Sequence, residues 1–195
     1  MTPTYYGNRG RSFEDFITYA NKRYRQRGEA VLWKIPTAFL PIRNGKGQVI
    51  SAKVEEKSCV DYLGRVGARP IAMEAKHTSG DTIRWDAVQE HQASFLTDFG
   101  AEVNAITLVV VSFNLERFYA VPWPCWKSGR EAWQEAQRKG VKKAEIIEHR
   151  AYDESGNFTS WSTNGKASLK PEDLDPSWEI KMGGFIGMDY LRRYI

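Results

Sequence analysis

The run Ala105–Phe113, Ala-Ile-Thr-Leu-Val-Val-Val-Ser-Phe, constrains this chain more than any other stretch. It is apolar and β-branched with no polar alternation, which is how a strand reads when both its faces are buried. Such a strand needs a sheet with elements packed above and below it, and that selects a layered plan. Arg117–Val121, after a turn, reads as its neighbour.

The remaining elements supply the layers. Ser12 followed by Asp15 has the spacing of a capped helix start, Phe13, Phe16, Ile17, Ala20 and Tyr24 recur at helical intervals, and Gly28 is a stop, which predicts an amphipathic helix over 13–27. Ala30–Ile35, closed by Pro36, suits a strand. Phe39–Val54 reads as a hairpin around Asn44-Gly45-Lys46-Gly47, residues that accept positive φ cheaply. Short strands are expected at 58–63 and 70–76, separated by a turn at Gly64-Arg65-Val66-Gly67. A second helical pattern covers 86–98, and the capping-box spacing Ser128 to Glu131 predicts a third helix from there to about Arg138. Residues 143–151 fit helix or strand, and 153–176, rich in Ser, Asn, Gly, Asp and Lys, is expected to be irregular or mobile. The order predicts an α/β (α+β mixed) fold with a central mixed sheet.

With 195 residues the chain is enough for one domain, burying roughly 70% of its unfolded surface. It has no run of about 18 apolar residues, and its first eleven residues are polar, so the expectation is a cytoplasmic protein without membrane span or secretory signal. Cys59 and Cys125 have no CxxC or Cys/His spacing, which argues against a disulfide framework and a zinc site. Charge is uneven: residues 1–57 carry 11 basic and 5 acidic side chains, against 12 and 12 over residues 58–150. A basic first third fits either a polyanionic partner or a solvated helix face.

The chemistry-bearing cluster is Asp61, at the end of one strand, with Glu74-Ala75-Lys76, ending the next. Residues two apart in a strand share a face, so Glu74 and Lys76 point together, and Asp61 reaches that face if the strands pair. Two carboxylates suit Mg²⁺, which prefers oxygen ligands, and a neighbouring lysine can orient water or take its proton, parts that suit phosphodiester hydrolysis. Glu-x-Lys also occurs at Glu55, within the charge run of the polar arm, and at Glu179, which no strand framework leads into, so solvated charge is the simpler reading for both. Val88, Gln92, Phe95, Leu96 and Phe99 share a helix face, and Gln92, the polar member, either caps a backbone group or points into a polar site. Glu14 is either a first-turn carboxylate favoured by the helix dipole or a third carboxylate for the metal. Asn8, Arg9 and Arg11 precede that helix, as phosphate-holding donors or as solvated residues.

Taken together, Asn8-Arg9-Gly10 with Glu14, Lys34-Ile-Pro36-Thr37, Asp61-Tyr62, Glu74-Ala75-Lys76, Glu90-His91-Gln92, the strand pair from Ile106 through Tyr119 and a shorter echo at Gly187–Leu191 resemble the RecU family of Holliday junction resolvases. The resemblance implies a restriction-endonuclease-like core with a protruding β-hairpin arm over about 39–57. It also implies a homodimeric, Mg²⁺-dependent endonuclease, with Mn²⁺ as a substitute, that nicks branched DNA symmetrically during recombination and repair and works beside recombination proteins. By the same carry-over Asp61 and Glu74 are metal ligands, Lys76 serves the water, Gln92 places water or phosphate, and Glu14 is an accessory carboxylate. Arg9, Arg11, Arg43, Lys46 and Lys53 would contact DNA. The chain differs from the family pattern at Val60, where members tend to have threonine, in a shorter arm, and in the additional segment 153–176. A restriction-like or phage nuclease with another DNA substrate, and a non-catalytic DNA binder, share the same residues.

Overall fold

The computed structural model describes residues 12–140, 147–152, 158–163 and 166–195. Helix α1 (Phe13–Arg27) leads into β1 (Ala30–Lys34), the hairpin β2 (Ala38–Arg43) and β3 (Val49–Glu56), then β4 (Tyr62–Val66) and β5 (Arg69–Thr78). The short β6 (Ile83–Arg84) precedes α2 (Glu90–Phe99), β7 (Ile106–Phe113), β8 (Arg117–Pro122) and α3 (Trp123–Arg138). The hairpin β9 (Ile147–Tyr152) and β10 (Phe158–Thr163) follows, then β11 (Ser168–Leu169), β12 (Met182–Gly183) and β13 (Gly187–Met188). The central sheet has the order β1-β4-β5-β7-β8, in which β5 and β7 are parallel and the other pairs antiparallel. This is the expected mixed α/β plan. Among the described residues no helix is long and apolar enough to cross a membrane.

The run that opened the sequence argument is the sheet's interior strand: every residue of β7 is buried. Ile106, Leu108 and Val110 join Ile71 and Met73 under Phe13, Phe16, Ile17 and Tyr24 of α1, together with Met188 and Leu191. On the other face Val109 and Val111 pack with Ala72, Leu96, Trp85, Trp126 and Trp178. Helix α1 has the predicted limits because both ends are chemically defined. Ser12 and Asp15 exchange hydrogen bonds across the first turn, and Gly28 ends the helix at φ 71°.

Four expectations need correction. Gly64-Arg65-Val66 is strand, and the turn is Gly67-Ala68, with Gly67 at φ 57°. Gly64 lies opposite Leu32 on β1, so close that a Cβ there would sit 1.9 Å from the Val31 carbonyl oxygen. Glycine here serves close backbone approach, which sequence alone cannot distinguish from a turn. The second helical pattern splits into a 3-10 turn at Trp85–Ala87 and α2, because Val88 is extended and buried between them. Helix α3 begins at Trp123, with Pro124 in its first turn, where a missing N–H costs nothing; the Ser128–Glu131 spacing falls inside it. Its Gly129 lies against Trp85, whose Cη2 would be 2.1 Å from an added Cβ.

Of the segment expected to be irregular, residues 153–157 and 164–165 lie outside the described residues, but 158–163 is a strand paired with 147–152. That pairing also resolves the described part of 143–151 as strand. Residues 168–169 pair with β6, and Leu169, Pro171 and Leu174 are buried. Three apolar anchors in polar surroundings are enough to tie this segment to the core. Cys59 and Cys125 are not joined in a disulfide.

Gly64→Ala is expected to destabilise the protein by roughly 1–3 kcal/mol or more, because the obstacle is backbone and cannot rotate away. Gly45→Ala, where nothing lies within 4 Å of the added Cβ, serves as the control in urea unfolding. Equal midpoints for the two variants would contradict the strand assignment.

Candidate active site

Strand alternation and antiparallel register together build the site. Along β5, Ala72 points to the α2 side of the sheet, so Glu74 and Lys76 do too. The β4–β5 register pairs Tyr62 with Met73, which brings Asp61, one residue ahead of β4, opposite Glu74. The expected gathering of the two carboxylates is present, with Asp61 at the start of its strand rather than at the end of one.

Asp61 is held on several sides. Its amide donates to Glu74 Oε2 at 3.2 Å, its Oδ2 accepts from the Ala75 amide at 2.9 Å, and its carbonyl accepts from the Ile35 amide at 2.8 Å. Glu74 is only 1% exposed. Its Oε1 lies 2.7 Å from Lys76 Nζ and accepts from Gln92 Nε2, also at 2.7 Å. The Gln92 carbonyl oxygen accepts from Lys76 Nζ at 3.2 Å and from the Gln89 amide at 3.0 Å. Gln92 therefore fills both roles open to it, capping a backbone group ahead of α2 while facing the polar site. Burial first, and then the Asp61 charge, push the Glu74 carboxyl up to about 7, against the opposing pull of Lys76.

Glu14 is not drawn into this cluster. It is exposed on the first turn of α1 and pairs with Lys34 at 2.5 Å. It acts with Asp61 on a shared neighbour: the Tyr62 phenol is pushed up to about 12, by burial first and then by the Glu14 and Asp61 charges. Among the described residues no three His, Cys, Asp or Glu side chains gather closely enough to hold a metal ion. Glu14 stands on α1, which packs on the opposite face of the sheet from α2, and Lys34 is its partner there.

Arg9 and Arg11, with Asn8, lie outside the described residues. Arg43 donates to the Gly47 carbonyl within the hairpin turn, and Lys46 and Lys53 are exposed on the same arm. Glu179, of the other Glu-x-Lys outside the arm, pairs on the surface with Arg117, as solvated charge should. Sequence reasoning missed two polar contacts at the start of α2. Lys57 reaches Gln89, and Arg130 from α3 reaches Glu90 at 2.6 Å. Their one sequence signal was the density of polar residues around Gln92.

Two carboxylates, a lysine and a buried amide converge at one end of a strand pair, a combination of groups that suits metal-assisted hydrolysis. The chain belongs to the Recombination protein U family, whose pattern matches residues 8–158. It is 29% identical over 154 residues to the Holliday junction resolvase RecU of Staphylococcus saprophyticus, covering 75% of this chain and 74% of that one. Against the Holliday junction resolvase RecU of Geobacillus kaustophilus it is 29% identical over 157 residues, 74% of this chain and 75% of the relative. Among solved structures, Hjc of Archaeoglobus fulgidus, a Holliday junction resolvase from an archaeal hyperthermophile, overlaps 57% of this chain and 77% of its own at 12% identity, with a TM-score of 0.37.

The Glu74 carboxyl has a pH consequence in metal-free protein. Its folded value of about 7 lies above the ordinary 4.5, so the folded state holds the proton more tightly than the unfolded chain. The associated stability is complete below about pH 4.5 and is lost as pH rises through about 7, by roughly 3 kcal/mol. Glu74→Gln removes the charge, so the variant's stability relative to wild type should climb over that window in urea unfolding with EDTA present. A difference independent of pH would mean that Glu74 is ionised throughout.

Proposed function

We propose that this chain is a dimeric, Mg²⁺-dependent endonuclease that resolves four-way DNA junctions by paired nicks, acting in the cytoplasm as one nuclease domain with a restriction-endonuclease-like core. The observation that carries this is the cluster of Asp61, Glu74, Lys76 and Gln92 at one end of the β4–β5 pair, in a chain that belongs to the Recombination protein U family. Its RecU relatives are Holliday junction resolvases, which points to the junction as substrate.

The donor set fits a divalent cation. Burial raises the Glu74 pKa and the neighbouring Asp61 carboxylate raises it further, a tension that a cation between the two would relieve. Asp61 and Glu74 would hold the ion, and Mn²⁺ would substitute because it accepts the same oxygen ligands. When bound, the ion would neutralise charge on the scissile phosphate and favour deprotonation of the attacking water.

The protein's own groups do the rest. Lys76 Nζ, within reach of both Glu74 and Gln92, orients the attacking water and accepts its proton only after losing its own to become the neutral amine. Gln92 keeps Glu74 and Lys76 at fixed separation by bonding to both. Glu14 would serve as an accessory carboxylate only after leaving Lys34.

The arm fits the branched substrate. The β2–β3 hairpin has Phe39, Leu40, Ile42, Val49 and Ile50 exposed, so its apolar side chains await a partner that its own two strands do not supply. Arg43, Lys46 and Lys53 give it charge for phosphates, and Arg9 and Arg11 would add to that. Two nicks related by a two-fold axis require two sites related in the same way, which a C2 dimer provides. The expected mass in light scattering is therefore twice the 22.3 kDa chain.

The direct test compares a synthetic four-way junction with linear duplex of the same sequence, with Mg²⁺ or EDTA, for wild type and Asp61→Asn. Paired nicks on the junction are expected, abolished by EDTA and reduced by the substitution beyond the roughly 10–100-fold typical of losing an outer partner. Equal cutting of both substrates would favour a general nuclease, and tight binding without cutting would favour a structural DNA binder.

A further inference from the structure

We propose that Gln89 is a positioning residue linking the arm to the cleavage centre, through hydrogen bonds that run from Lys57 to Gln89 to Gln92. The proposal rests on reading Asp61, Glu74, Lys76 and Gln92 as that centre.

Strand β3 ends at Glu56, so Lys57 stands at the foot of the arm. Its Nζ donates to Gln89 Oε1 at 3.1 Å, across 32 residues of sequence. Gln89 stands immediately ahead of α2, with extended backbone (φ −70°, ψ 161°), and its amide donates to Gln92 Oε1. That same oxygen accepts from Lys76, and the nitrogen of the same side chain donates to Glu74. Three consecutive contacts thus lead from the foot of the arm to a carboxylate buried under the sheet. Each shares a residue with the next.

The first contact is exposed, and an exposed hydrogen bond between neutral and charged side chains adds little to stability because water replaces it readily. What it does is set where the entrance to α2 lies relative to the arm. On the far side of the same turn, Arg130, itself 8% exposed, holds Glu90 at 2.6 Å and ties it to α3. The first turn of α2 is therefore braced between α3 and the foot of the arm, and a displacement of that foot shifts Gln92 against Glu74 and Lys76. A branched substrate that engages the arm sets this geometry; a linear duplex that leaves the arm unloaded does not. Selectivity then resides partly in the cleavage step and not wholly in binding.

Gln89→Ala removes the link without changing charge, and Gln89→Glu keeps it, with a carboxylate in place of the amide oxygen facing Lys57. Lys57→Met is the independent variant from the other end. For Gln89→Ala, the single-turnover rate on saturating junction with Mg²⁺ should fall about 3- to 30-fold. Junction affinity measured by fluorescence anisotropy without metal, and the thermal midpoint, should be unchanged. Gln89→Glu should restore the rate, and the Lys57→Met/Gln89→Ala double variant should be no slower than either single variant. An unchanged rate, multiplicative losses in the double variant, or a loss confined to affinity would each overturn the link. Asp61→Asn separates the two readings: if it is inactive while Gln89→Ala cuts normally, only the link fails, whereas normal cutting by Asp61→Asn removes the centre and the link together.

Discussion

Parallel neighbours in a sheet cannot be joined by a tight turn, and β5 and β7 are parallel neighbours. The chain between them has to cross one face of the sheet, and it does so through the turn at Trp85–Ala87 and helix α2. The crossover lands on the face to which Ala72, Glu74 and Lys76 point, so the helix that covers the core also closes over the polar end of β5. Gln92 reaches Glu74 because Leu96 and Ala93 of the same helix are buried against the sheet. One pairing decision thus fixes the core and the site together.

The opposite face is covered independently. Helix α1 and the C-terminal residues pack there, fastened by Tyr24, whose hydroxyl donates to Asp189 at 2.8 Å and accepts from the Leu191 amide at 3.0 Å. Burial holds that phenol far above its ordinary range, so it stays a neutral donor and acceptor. With both faces occupied, β7 has no contact with solvent along its length. The β2–β3 arm, by contrast, stands outside both cores, and its surface residues are free to serve recognition because the fold does not need them.

The polar cluster holds a tension of a kind protein interiors tolerate only when every member is engaged. A carboxylate 1% exposed beside another carboxylate is costly, and here it is offset by an ammonium, an amide and a backbone N–H converging on its two oxygens. The same groups bond to one another before any substrate arrives. Strand geometry supplies Asp61, Glu74 and Lys76; a loop-to-helix junction supplies the adjustable part.

Much of this was legible in the sequence, where local rules apply. Capping residues bounded α1, the unbroken apolar run identified β7, Asn44 through Gly47 marked the arm's turn, and alternation put Glu74 and Lys76 on one face. Where one residue type serves two purposes, local rules failed. Gly64 read as a turn because close backbone approach and positive φ both select glycine; Pro124 hid the start of α3; Leu169 and Leu174 were lost among polar neighbours. Glu14 stands on α1, across the sheet from α2, and pairs there with Lys34. The sequence by itself determined the periods, the caps and the residue types at the strand ends, because these depend on neighbours a few residues away. Only the tertiary structure decided that Asp61 meets Glu74, that Gln92 bridges Glu74 and Lys76, and that Lys57 touches Gln89. Those contacts join residues brought together by register, crossover and burial, and no local pattern encodes them.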